Sequence, residues 1–217
     1  MNQTMIDDDS HYAAFVEAFI RGRLDLDEAQ DRERLLRAAH QQELRLYRFK
    51  RKTLPRVSQV LGTLKGLQPR DLLDIGSGRG TFLWPFLETF DGVPVTSVEV
   101  DPIRLRDLQA VSKGGVHRLA VWDADVQADD LGENSYDVTT ALEVIEHLPN
   151  PSAAIRNLVR ATRRFVVASV PSKPDDNPEH LHFFPADQFE QMWLAAGAER
   201  VDCSYVQGHL IAVIKIA

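Results

Sequence analysis

The 217-residue chain has a single cysteine, Cys203, and only three methionines. One cysteine excludes an intrachain disulfide and a cysteine-based zinc site, and Cys203 reads as an inert core or strand residue. No apolar run approaches the ~18–20 residues that cross a bilayer. The opening MNQTMIDDDSHY has neither a basic stretch nor an apolar one, so no secretory signal is expected and the location expected is cytoplasmic. Positive charge is in deficit: Lys plus Arg number 25 against 32 Asp plus Glu, a net −7. That deficit argues against non-specific nucleic-acid binding, which needs a basic face, though a local basic patch stays open. The rest is ordinary, with 44% hydrophobic and 26% charged residues. Such a composition excludes a disordered chain, a collagen-like fibre and a coiled-coil rod.

Two textures follow one another along the chain. Residues 1–68 read as helical. Asp7 to Ser10 is a polar start with capping residues, and His11 to Arg23 carries Tyr12, Phe15, Val16, Phe19 and Ile20 on one helical face. Asp27 to Lys52 has no Gly or Pro and reads as one long helix. A third helix is expected from Pro55 to Leu64, ended by Gly66 and Pro69. Charge is uneven here. Residues 1–44 hold ten acids against five Arg, whereas 45–56 hold six bases and no acid. The basic run is either a solvated helix face or a contact for an anionic substrate or an RNA backbone.

Residues 69–217 alternate short apolar strands with helices, which implies a parallel sheet covered on both faces. Strands are expected at 71–75, 94–100, 117–122, 135–142, 165–170, 201–206 and 210–216. Ligands of such sheets bind at the carboxyl ends of the strands.

Four motifs stand at those ends. Asp74-Ile75-Gly76-Ser77-Gly78-Arg79-Gly80 lies between a strand and a helix. Glycines there let the backbone turn tightly and approach a ligand. The spacing is not the dinucleotide G-x-G-x-x-G, because Thr81 stands at the third glycine position. Glu99, 25 residues after Asp74, ends the next strand and can accept from both ribose hydroxyls. Asp101 can cap the helix opened by Pro102. Asp123-Ala124 follows the third strand and suits an adenine edge. Glu143-Val144-Ile145-Glu146-His147 follows the fourth. Between Leu119 and Ile155 stand eight acids and no Lys or Arg. Such a crevice repels a pyrophosphate and attracts a sulfonium and an ammonium. S-adenosylmethionine (SAM) has both, with no phosphate.

With these residues in place, the chain resembles the class I SAM-dependent methyltransferases over residues 55–217. The resemblance implies an α/β, Rossmann-like, doubly wound seven-stranded sheet with an antiparallel last strand, preceded by an N-terminal helical extension. The expected division is a 1–68 extension or lid and a 69–217 SAM-binding domain. It implies that Asp74, Gly76, Ser77, Gly78, Gly80, Glu99, Val100, Asp123, Ala124 and Glu143 bind the cofactor, with S-adenosylhomocysteine (SAH) as product. Glu179-His180-Leu181-His182-Phe183-Phe184 narrows the likeness to a bacterial subgroup related to ubiquinone-type and small-molecule methyltransferases. A small-molecule acceptor follows, with no membrane and with homodimerisation open. His147, His180 and His182 are candidate bases, and His147 and His180 are favoured as catalytic. Tyr12, Phe15, Phe19, Tyr47 and Phe49 either shape an acceptor pocket or only cover the sheet.

This reading assigns no metal. A rival one takes Glu143, Glu146, His147 and His180 as ligands of a divalent metal. It resembles the small-RNA 3′-terminal 2′-O-methyltransferases, with the basic run meeting RNA. A third is a SAM-binding protein without catalysis.

Overall fold

A computed structural model of the chain describes residues 9–27, 30–52 and 54–216. Asp7 and Asp8 of the expected polar start lie outside the described residues. Seven strands form one sheet: β1 (Leu72–Ile75), β2 (Val95–Val98), β3 (Leu119–Trp122), β4 (Tyr136–Leu142), β5 (Thr162–Pro171), β6 (Ala198–Val206) and β7 (His209–Ile216). Their order is β3-β2-β1-β4-β5-β7-β6. Five neighbours run parallel, and β7 lies antiparallel to both β5 and β6. Successive strand residues point to opposite faces. Leu72, Val95, Leu119 and Val138 therefore enter one core, and Leu73, Val98 and Ala141 enter the other.

The first core is covered by α1 (Ala13–Leu24), α2 (Arg32–Gln41), α3 (Pro55–Leu67), α4 (Leu83–Thr89) and α5 (Pro102–Lys113). The second is covered by α6 (Pro151–Ala161) and α7 (Ala186–Ala195). Capping is local and explicit. The Asp101 carboxylate accepts from Ile103 and Arg104 amides at 2.9 Å and starts α5, and Asn150 caps α6 at Ala153.

The N-terminal extension is welded to this frame. α1 crosses α5 with backbones in contact: a Cβ on Gly22 would stand 1.9 Å from the Ala110 carbonyl oxygen, and one on Gly114 would stand 1.8 Å from that of Ala18. Phe15, Phe19 and Phe49 are buried, and Phe49 packs between Phe19 and Trp84. The expected single helix over 27–52 is corrected here. α2 ends where Glu43 turns left-handed (φ 51) and the Leu44 amide closes back onto the Ala39 carbonyl. A short 3₁₀ turn at Leu46–Phe49 follows, because burying Phe49 and pairing Arg48 with Asp107 need the chain to fold back. α3 runs through Gly66 and stops at Gln68, whose φ is 49. Cys203 lies on β6 but is exposed, so it is a strand residue and not a core one.

Candidate functional site

The carboxyl ends of β1, β2 and β4 meet the glycine turn. Gly76, Gly78 and Gly80 all have positive φ, at 65°, 58° and 80°. A Cβ on Gly80 would stand 2.0 Å from the Trp84 ring, and one on Gly76 would stand 2.8 Å from Val144. The loop is thus clamped between α4 and the turn after β4. Its polar groups are closed into a network. The Asp74 carboxylate accepts from the Ser77 hydroxyl and, at 2.7 Å, from Thr140. Ser77 also meets the Ser97 hydroxyl at 2.7 Å. Burial pushes the Asp74 carboxyl up to about 6, against the two hydroxyl hydrogen bonds.

Glu99 is buried, and its Oε2 accepts from the Gly78 amide at 2.9 Å. Its Oε1 accepts from the amides of Val100 and Asp101 at 3.1 Å. Beside it, Val100, Ile103 and Trp122 present large apolar side chains to solvent. β2 and β3 pair Val98 with Trp122, so these groups share the rim that carries Asp123 and Ala124. Ile103 and Trp122 were not anticipated; two exposed apolar residues at a strand end and a helix start were the available signal. Of the eight acids between Leu119 and Ile155, Asp130 and Asp137 lie apart from the crevice, paired with Arg160 and Arg164.

The turn after β4 is built differently. Glu143 has φ 57, a strained conformation for a residue with a Cβ. Its Oε1 accepts from the Ser169 hydroxyl at 2.7 Å, and its Oε2 lies 2.9 Å from His209 Nδ1. His209 was not anticipated. An antiparallel β7 places its first residue at the carboxyl end of β5, and the expected topology already held that signal.

Glu146 is fully buried, and neither carboxylate oxygen has a hydrogen-bond partner among the described residues. Burial, reinforced by the Glu143 charge, pushes its carboxyl up to about 8. One side-chain atom each of Glu146, His147 and His180 lies within 4.8 Å of the others. The Glu146 carbonyl accepts from the Leu181 and His182 amides at 2.9 and 3.1 Å, which pins the 175–184 loop over the turn. His147 Nδ1 donates to the Glu179 carbonyl at 2.8 Å, and His180 Nδ1 lies 2.8 Å from the Asp175 carboxylate. A carbonyl only accepts, so the lone pair of His147 sits on Nε2. His182 turns away, its Nε2 on the Leu148 carbonyl at 3.0 Å. Glu143 faces Ser169 and His209, and so the structure joins three of the four rival ligands rather than all four.

The fold and this glycine turn define a Rossmann-like methyltransferase architecture. Residues 73–164 match a family model described as "Methyltransferase domain". The N-terminal domain of EvdMO1, solved with SAH bound, superposes with a TM-score of 0.67 at 14% identity over 87% of this chain and 98% of that one. A SAM-dependent methyltransferase from Aquifex aeolicus gives 0.63 at 20% identity over 76% and 91%. The ubiquinone biosynthesis O-methyltransferase of Photobacterium profundum is 29% identical over 102 residues, 46% of this chain and 42% of that protein. The match thus spans less than half the length of that curated relative. The likeness to a methyltransferase domain thus lies in residues 73–164, and the solved neighbours share the fold of the whole sheet.

Proposed function

We propose that the protein is an enzyme that transfers a methyl group from SAM to a hydroxyl of a small molecule and releases SAH, and that it works in the cytoplasm. The observation that carries this reading is the left-handed glycine turn with the Glu99 carboxylate beside it at the carboxyl end of β2. Glu99 takes the ribose hydroxyls. Val100, Asp123 and Ala124 take the adenine, and Asp74 takes the amine of the methionine part. Gly76, Ser77, Gly78 and Gly80 form the close backbone wall, and Glu143 adds negative charge near the sulfonium.

The leaving group is already activated, so the protein supplies mainly proximity and orientation. The acceptor oxygen attacks the methyl carbon as the carbon–sulfur bond breaks. Its proton goes to an imidazole, His147 Nε2 or His180, each oriented through its other nitrogen. The relative named above is an O-methyltransferase of ubiquinone biosynthesis, which favours a small acceptor. Part of the basic run is committed within the chain: Arg48 pairs with Asp107, and Arg51 pairs with Glu88. Those pairs reduce the charge left for an RNA backbone.

A second reading draws on Glu146. A buried carboxylate without a partner, beside two imidazoles each anchored through Nδ1, fits a divalent cation. Glu146, His147 and His180 would hold it, and it would polarise the acceptor oxygen as a Lewis acid. The test is transfer of labelled methyl from SAM to cell extract split into small-molecule, RNA and protein fractions, each with and without chelator. Label in small molecules indifferent to chelator supports the base reading. Label abolished by chelator supports the cation. Label confined to RNA overturns the small-molecule acceptor. SAH binding without any transfer in complete extract favours a non-catalytic SAM-binding protein.

A further inference from the structure

Glu143 is held from two sides. Its amide donates to the Ser169 carbonyl at 2.9 Å, and its Oε1 accepts from the Ser169 hydroxyl at 2.7 Å. Its Oε2 lies 2.9 Å from His209 Nδ1. On the far side of the ring, His209 Nε2 lies 3.5 Å from Nη1 of Arg56. A guanidinium only donates, so in the neutral ring the lone pair sits on Nε2 and the proton on Nδ1. The opposite tautomer would turn a lone pair towards the Glu143 carboxylate and repel it. Nδ1 is buried, and the carboxylate stands off the line of its N–H, so no aligned hydrogen bond occupies that proton.

The imidazole is carried by the sheet. β7 pairs with β5, with His209 opposite Pro171. The hairpin before it turns on Gln207 and Gly208, both at positive φ (37° and 89°), and the Ser172 amide donates to the Gly208 carbonyl at 2.9 Å. Arg56 is the second residue of α3, and α3 is tied to β6 where Gln59 donates to the Ser204 hydroxyl at 2.8 Å. His209 thus spans a fixed gap between α3 and the turn after β4. Glu143 needs such support, since a left-handed backbone at a residue with a Cβ persists only where its surroundings hold it. Ser169 fixes one carboxylate oxygen, and His209 fixes the other.

We propose that His209 is a positioning residue for methyl transfer: it fixes the Glu143 carboxylate so that the crevice prefers the sulfonium of SAM to the thioether of SAH. The inference rests on the donor reading above, which puts Glu143 near the sulfonium. The preference matters at the end of the reaction. Transfer removes the positive charge from sulfur, the fixed carboxylate loses its Coulomb partner, and the product is held less tightly than the donor. His209 acts through Glu143 and exchanges no proton with either ligand.

Calorimetric titration of SAM and of SAH reads the preference as the ratio of their affinities. Loosened structure weakens both ligands alike, so the ratio moves only when the field at the sulfur moves. His209→Ala should narrow the ratio by about threefold or more. His209→Asn keeps an amide N–H near the place of Nδ1 and should restore it, whereas His209→Gln puts one near the place of Nε2 and should not. In a Glu143→Gln background, His209→Ala should leave the ratio where it stands, because the residue acts through that carboxylate. An unchanged ratio in His209→Ala, equal weakening of both ligands, or restoration by Gln but not by Asn overturns the proposal. A wild type without preference for SAM overturns it as well. Should His209→Ala not fold, the Asn and Gln pair decides. Failure of the wild type to bind either nucleoside is a separate outcome: it brings down the donor reading itself, and this proposal with it.

Discussion

The two halves of the crevice are built on opposite terms. On the side we propose for the donor, Asp74, Ser77, Ser97, Thr140 and Glu99 form a network in which every carboxylate oxygen has a hydrogen-bond donor. The backbone there adopts conformations that glycine supplies without strain. On the acceptor side, Glu143 is strained, Glu146 is buried without a partner, and two imidazoles are anchored through one nitrogen each. The first half is closed by its own hydrogen bonds, as the proposed donor site requires. The second has free valences that only a proton, a cation or an acceptor completes. A closed network resists change through packing and hydrogen bonds, and an open one responds to pH and ions. Substitutions should therefore damage the two halves differently.

The largest effect is expected at Gly80. Gly80→Ala would force a Cβ at φ 80 into the Trp84 ring. Left-handed strain and overpacking together should cost roughly 2–5 kcal/mol of stability. Chemical denaturation measures it, and SAH binding should fall with it. A stable Gly80→Ala protein with normal SAH affinity would mean that the loop is not clamped as described. Next comes Glu99→Ala, which should leave the fold intact and weaken SAH by roughly 1.5–3 kcal/mol, for lost charge-assisted hydrogen bonds. Near-unchanged affinity in titration calorimetry would sink the ribose assignment.

The glycine turn was legible in the sequence because it is local. Asp74 to Gly80 is one turn, and its glycine spacing implies positive φ without knowledge of any neighbour. Glu99 follows from the end of the next strand, and Asp101 from Pro102 beside it. The acceptor half depends on distant pairings. His209 reaches Glu143 only through the strand order, and His180 parts from His182 only because the loop folds over the Glu146 carbonyl. The helix expected over 27–52 failed for a similar reason. Its composition favours helix throughout, but Phe49 finds its burial against Phe19 and Trp84 and overrides that propensity. Charge was overcounted in the same way, since Asp130 and Asp137 stand near the others in sequence but pair elsewhere.

pH separates the halves further. The Glu146 carboxyl is raised from 4.5 to about 8, so the native state keeps its proton while the unfolded chain releases it. Stability should then fall as pH rises from 4.5 towards 8 and level off above, by up to about 1.4 kcal/mol per pH unit. Asp74, raised to about 6, adds a slope of the same sign that is complete by about that pH. Between 6 and 8 the Glu146 slope is thus free of the Asp74 one. In chelator, Glu146→Gln should flatten it, as read by denaturation at fixed pH. Saturating Mn²⁺ should make the wild-type slope rise with pH if the cluster holds a cation, because its ligands bind deprotonated. An unchanged slope in Mn²⁺ would leave the proton as the occupant.

The smallest effect on stability is expected at the acceptor rim. Leu181 and Phe183 are exposed on either side of His182, on a segment held through backbone amides rather than through these side chains. Leu181→Ala and Phe183→Ala should each change stability by less than about 0.5 kcal/mol, the usual range for surface positions. SAH affinity should not move, since neither residue belongs to the donor network. If the crevice is divided as its hydrogen bonds divide it, the whole effect falls on the acceptor KM. Steady-state kinetics with any acceptor recovered from the small-molecule fraction reads that directly. A loss of SAH affinity in either variant would join the two halves, and the contrast between a finished donor site and an open acceptor site would have to be given up.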